Sequence, residues 1–204
     1  MASSRVTHNL PLGWRESFGA LPPLAGKFSG PAIVLGRGGD WVTELDIAMA
    51  VTEYAAPVFA VNHQEGHYFG LCVEHVVSVH AAKFPAKEAR RADTLYHCPK
   101  PPHVAPRADV FWPLPGIGGS GSSALLAVVV ALNMGHAPVC VAGVHLEERT
   151  ETVDGQKRRM IHDYGLYQQG WVSLCEQLVG RVFSVSPQGT FLRELLGGHQ
   201  WLAA

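Results

Sequence analysis

The stretch Gly116-Ile-Gly-Gly-Ser-Gly-Ser-Ser-Ala-Leu-Leu-Ala-Val-Val-Val-Ala-Leu-Asn-Met-Gly135, followed by Pro138-Val-Cys-Val-Ala-Gly143, decides the fold. A run of Gly and Ser opens a helix that is apolar on every face, and a helix without a polar stripe has to be buried between layers. The next apolar run is short, opens with proline and ends at glycine, the pattern of a buried strand. Helix into buried strand is one half of a βαβ unit. The same rhythm extends outward in both directions. Residues 31–36 read as a strand ended by glycine, and 40–54 as a helix with apolar residues at Trp41, Leu45, Ala48 and Val51 and with Asp40 as N-cap. Further strands are expected at 57–61, 74–79, 94–97, 109–112 and 181–185, with helices at 85–91, 164–179 and 190–196. Residues 147–163, with Lys157-Arg158-Arg159, read as an exposed polar excursion. Strands that are continuous apolar runs alternating with helices indicate a parallel sheet covered on both faces. The fold class is therefore α/β: a single Rossmann-like domain over 31–204, mostly parallel, with helices on both faces. Residues 1–30, rich in Gly, Pro and Ser, read as an arm that packs on the body through Trp14 and Phe18.

Composition narrows the function classes. The chain has 204 residues, enough for one ordinary α/β domain. Its 16 Lys+Arg against 17 Asp+Glu leave no basic excess for a phosphate polymer, so nucleic acid is not an expected partner. The longest apolar run, 124–132, is about half the ~20 residues of a membrane span, and residues 1–10 lack a signal-peptide core. A cytoplasmic protein is expected. Cys72, Cys98, Cys140 and Cys175 form no C-x-x-C pair and read as buried free thiols. The 11 histidines match no metal-ligand spacing, so no metal is expected, and scattered loop histidines read as surface polarity or satisfied hydrogen bonders.

In open parallel sheets ligands bind where the strand-to-helix loops gather, beyond the carboxyl ends of the strands. Three loops qualify. Gly36-Arg-Gly-Gly39 follows the first strand, where backbone N–H groups can approach a phosphate, although Asp40 at the helix start competes for the same donors. Asn62 and His63 follow the second strand and can read a base or ribose edge. Residues 118–123 crowd small residues at a helix start beyond what one cap requires, which favours an anion nest with the hydroxyls of Ser120, Ser122 and Ser123 and the backbone N–H groups. His80 and His145, each following a strand, are the acid–base candidates.

This order of signals resembles the sialyltransferase-like and hydroxymethylpterin diphosphokinase-like Rossmann proteins, of the small type found in phages and prophages. It is carried by Val61-Asn62, Ser78-Val-His80, Gly-Gly-Ser-Gly-Ser-Ser-Ala-Leu at 118–125, Asn133-Met-Gly135 and Val-Ala-Gly143-Val-His145, over about residues 31–146. The resemblance implies that Gly36, Gly38 and Asn62 face a nucleotide and that Gly119, Ser120 and Ser122 line the same crevice. It implies a transferase using a nucleotide-activated donor, a CMP-sugar first, with the nucleotide as substrate rather than resident cofactor. It also implies a host-cytoplasmic or virion location. Two departures stand out. The family's Gly-x-Gly-Pro-Ser loop is Gly38-Gly39-Asp40 here, and its acidic residue near the last strand is His145, with Glu147 or Glu148 as substitutes. These departures support one alternative, a non-catalytic Rossmann scaffold, accessory or virion-associated, docking a protein partner through the arm; a diphosphokinase-like enzyme is the neighbouring reading that the resemblance implies, but it would need a divalent metal and the lost acidic position counts against it.

Overall fold

The computed structural model describes residues 20–38, 40–62, 71, 73–99, 103–114, 122–147, 150–153, 156–159, 164–187 and 190–198. Seven strands make one all-parallel sheet: β1 (Ala32–Leu35), β2 (Val58–Val61), β3 (His75–Val77), β4 (Leu95–Cys98), β5 (Val110–Phe111), β6 (Val139–Ala142) and β9 (Val182–Ser184), in the order β5-β4-β3-β2-β1-β6-β9. The strands β1, β2 and β6 are buried at every position, which is why they are unbroken apolar runs. Ile33 lies level with Val58 of β2 and Cys140 of β6, so β1 is paired along both edges inside the sheet.

Helix α1 (Trp41–Val51) carries the chain from β1 to β2 on one face, burying Leu45 and Ala48 among Ile33, Leu35, Cys140, Ala142 and Phe183. Helix α2 (Ser123–Met134) returns the chain from β5 to β6 across the opposite face, against β1, β2, β3 and β6. Its far side is covered in turn. Trp171 of α3 (Tyr164–Ser173), Leu178 of α4 (Cys175–Leu178), and Leu192 and Leu196 of α5 (Thr190–Leu196) join its apolar cluster, with Leu21, Leu24 and Ala25 against it. That second cover explains a helix with all twelve residues buried. The β1→β2 and β6→β9 connections step in opposite directions on opposite faces, as right-handed crossovers require. The topological switch point therefore lies between β1 and β6.

Residues 20–30 hydrogen-bond to the body. Gly26 and Phe28 donate to the Asn133 and Met134 carbonyls at the end of α2, at 2.8 and 2.9 Å, and the Ala137 N–H donates to Gly30 at 2.9 Å. Trp14 and Phe18 lie outside the described residues.

Three local expectations are corrected. The helix expected at 85–91 is instead two short 3-10 turns, Ala81–Lys83 and Lys87–Ala89, anchored by Phe84 in the core. The polar excursion contains an antiparallel pair, β7 (Thr150–Val153) and β8 (Gln156–Arg159). Its signal was the Asp154-Gly155 dipeptide between two four-residue runs, overshadowed by the charge around it. The helix expected at 164–179 breaks at Leu174, whose N–H turns back to the Trp171 carbonyl at 3.2 Å.

Candidate functional site at the carboxyl edge

Along the carboxyl edge the strand order sets His80 after β3, Asn62 after β2, Gly36 and Gly38 after β1, His145 after β6 and Ser186 after β9. With strands about 4.8 Å apart, Asn62 and His145 are separated by roughly 10 Å, and His80 and His145 by roughly 14 Å. His63, Gly119 and Ser120 lie outside the described residues.

Asn62 is the best-defined polar group of this edge. Its backbone is left-handed (φ 63°), a conformation asparagine tolerates better than most residues, and its N–H donates to the Val77 carbonyl at 2.8 Å. The Ser78 and Ser123 hydroxyls approach its Oδ1 at 2.8 and 3.0 Å. Each hydroxyl oxygen already accepts a backbone N–H, Ser78 from His80 at 3.0 Å and Ser123 from Val79 at 3.1 Å. Both hydroxyls donate to Asn62, so Oδ1 is the inward atom and the NH2 donor is turned the other way. Ser122 caps α2, its Oγ accepting the Leu125 N–H at 3.1 Å while its carbonyl accepts Leu126. Asp40 caps α1 as read from sequence, accepting from the Thr43 hydroxyl at 2.6 Å.

The switch point itself is tightly closed. Gly38 donates its N–H to the Gly143 carbonyl at 2.6 Å, and Gly36 donates to Ala142 at 2.8 Å, so both amides expected to face a nucleotide are already engaged. A Cβ on Gly36 would stand 2.2 Å from the Gly143 oxygen, and one on Gly143 would stand 2.5 Å from the Gly36 oxygen. These glycines permit two backbones to touch.

Beneath them lies a cluster that the sequence reading half missed. Glu44, 1% exposed, points into the sheet from α1. Its Oε2 accepts the Gly143 N–H at 2.6 Å, and its Oε1 faces His145 Nε2 at 2.7 Å and the Ser186 Oγ at 2.8 Å. Ser186 Oγ is also 2.7 Å from His145 Nε2. Burying a carboxylate demands this much hydrogen bonding. The trace in the sequence was a glutamate in the inward stripe of a helix, between Trp41 and Ala48. Burial pushes the Cys140 thiol up, with Glu44 adding to it, so this cysteine is unreactive packing. Glu147 is committed elsewhere: its Oε1 accepts the Thr190 hydroxyl at 2.8 Å and the Phe191 N–H at the start of α5. Glu148 lies outside the described residues.

A second correction concerns the histidines. His75 and His97 are buried strand residues rather than loop polarity, and His136 is buried after α2. Trp112 Nε1 donates to His97 Nδ1 at 3.0 Å, and His97 Nε2 meets His75 Nδ1 at 3.0 Å. Indole is a donor only, so His97 must accept at Nδ1 and carry its proton on Nε2. Bound as a neutral imidazole through Nε2, a metal would need that proton on Nδ1, where the indole forbids it. Among the described residues no group of three His, Cys, Asp or Glu is placed to hold a metal. Burial, and next the charge of His136, pushes His75 down to about 4. Burial, then His75, holds His97 well below the ordinary histidine range. Burial also lowers His136, against the pull of the Gly30 and Pro31 backbone. No described helix is long and apolar enough to cross a membrane.

No family model, curated protein or solved structure matches the chain. What the fold and site define is a class, the open parallel α/β domain with its polar groups gathered at a switch point.

Proposed function

We propose that the chain binds a nucleotide-activated donor along this carboxyl edge and acts as a transferase, with a CMP-sugar as the first donor to test. The observation that carries the reading is the Asn62 amide, whose orientation is fixed by two serines so that its NH2 is presented at a strand end beside the start of α2. Such a preset donor suits a base or ribose edge. With the Leu125 and Leu126 amides taken by Ser122, those of Ser123 and Ala124 remain for the phosphate at the helix start. His80, exposed and one strand from Asn62, then belongs to the nucleoside end, and His145, roughly 10 Å along the edge, to the transferred group. In the reaction the acceptor hydroxyl attacks the sugar carbon, its proton passes to His145, and the bond to the phosphate breaks to release the nucleotide.

A thermal-shift panel of CMP, CMP-sialic acid, UDP, ATP and GTP, with and without magnesium, tests this. A ligand at 100 times its Kd adds roughly 2.7 kcal/mol, a clear rise in Tm. No shift with any nucleotide defeats the reading. One observation favours the non-catalytic alternative: the engagement of the Gly36 and Gly38 amides by the 142–143 backbone closes the first loop to a phosphate. A scaffold that docks a partner through residues 1–30 gives no shift with the panel, and deleting those residues removes its partner.

A further inference from the structure

We infer that the corner where residues 26–31 meet the end of α2, at the amino end of the sheet, is a binding site for ordered internal water, held by His136 together with Asn133 and His75. The site lies at the opposite end of the strands from the carboxyl edge and is independent of the nucleotide reading. Its ground is a set of buried polar atoms that meet no partner among the described residues. Asn133, the last residue but one of α2, and His136, just beyond the helix, are each 3% exposed. Neither the amide nitrogen and oxygen of Asn133 nor the two ring nitrogens of His136 make a hydrogen bond to any described residue. Four of the six such side-chain atoms fall in this one turn, so they mark a local feature and not scatter. Buried polar atoms are nearly always satisfied, by protein or by water, because the bonds they made to solvent in the unfolded chain are otherwise lost.

The surroundings keep these groups inside. Gly26 and Phe28 donate to the Asn133 and Met134 carbonyls, and the His136 N–H donates to the Ala131 carbonyl at 3.0 Å, all main-chain bonds that leave the two side chains unserved. Phe28 stacks on the His136 ring at 5.3 Å and Phe59 meets it edge-on at 5.7 Å. The Gly30 and Pro31 backbone lies close enough to favour a charged His136, yet neither ring nitrogen completes a hydrogen bond with it. A polar pair held near but not in contact is where a bridging water fits. Strand β3 adds a donor. His97 carries its proton on Nε2, as the Trp112 indole requires, and so donates to His75 Nδ1. His75 then keeps its own proton on Nε2, where no described residue receives it. The two rings are neighbours, since the charge of His136 helps to hold His75 down at about 4. An amide, neutral imidazoles and backbone carbonyls offer donors and acceptors without net charge, so the guest is small, neutral and able both to donate and to accept, as water is.

Oxygen-17 magnetic relaxation dispersion on the full chain counts the waters that stay inside for longer than the protein takes to tumble. Its amplitude should fall in His136→Phe, which keeps a ring to stack on Phe28 but has no ring nitrogen. Thermal melting of the same variant separates a wet corner from a dry one. With water bound, the substitution strips hydrogen bonds from it and Tm should stay level or fall; in a dry corner, removing an unpaired buried group should raise Tm. An amplitude unchanged in His136→Phe, or a Tm that rises, overturns the inference. If that variant does not fold, the electron density of wild-type crystals decides. A water within about 2.7–3.2 Å of a His136 ring nitrogen supports the site, and density without one overturns it.

Discussion

Acid should destabilise this protein above the range where carboxylates titrate, because its buried histidines fold in the neutral form. Below its ordinary 6.5, His75 is pushed down to about 4 by burial and by His136. A base with a depressed folded pKa binds fewer protons in the native state than in the unfolded chain. The stability it allows is therefore fully present above pH 6.5, and is lost as pH falls from there toward 4. Between pH 7 and pH 5 the unfolded imidazole gains its proton while the folded one does not, which removes roughly 2 kcal/mol for His75 alone. His97 acts in the same direction, since a protonated ring would set an N–H against the Trp112 indole donor. For a domain with a total stability of about 5–15 kcal/mol this is a large loss. Urea unfolding followed by tryptophan fluorescence at pH 7, 6 and 5 measures it, with Trp112 as a reporter inside the chain. The same series on His75→Gln should show a visibly flatter dependence. A wild-type stability that stays level from pH 7 to pH 5 would refute the buried-neutral account.

Three further perturbations address the edge. Gly36→Ala drives a methyl against the Gly143 carbonyl, 2.2 Å away, and should cost about 3 kcal/mol or more by chemical denaturation, because both atoms belong to backbone. Asn62→Ala should cost about 2–3 kcal/mol, since two serine hydroxyls lose their acceptor and the residue keeps a left-handed backbone. Asn62→Asp keeps the acceptor and tolerates that backbone but loses the NH2, so it should fold and give no thermal shift with a nucleotide that shifts wild type. Glu44→Ala should cost about 3–5 kcal/mol, as when one partner of a buried pair is removed, because the Gly143 N–H, His145 and Ser186 each lose the buried carboxylate they face, and differential scanning calorimetry reads the loss directly.

The layers of the fold were legible because they rest on burial. The strands β1, β2 and β6 are buried on both faces and spell continuous apolar runs, and α2 is apolar all round because it is covered twice. The glycine loops and Asn62 were legible because they end those strands. Pairings made across the fold were not. Glu44 meets His145 and Ser186 from 101 and 142 positions away, and only the strand order brings the three together. His75 and His97 looked like scattered histidines because nothing local shows that a strand buries them or that Trp112 supplies the donor. The engagement of Gly36 and Gly38 by Gly143 and its neighbour is likewise a tertiary fact, and it is why the proposed recognition of a nucleotide rests on Asn62 and the start of α2.

The most direct test of the central claim, that a nucleotide lies on the carboxyl edge over Asn62, is amide chemical-shift mapping of the 15N-labelled chain titrated with CMP and then CMP-sialic acid. Saturable shifts should centre on 62, 78–80 and 122–125, and the sugar nucleotide should extend them to 143–146. Shifts confined to the opposite end of the sheet, around 30 and 136, or none at millimolar nucleotide, would contradict the account.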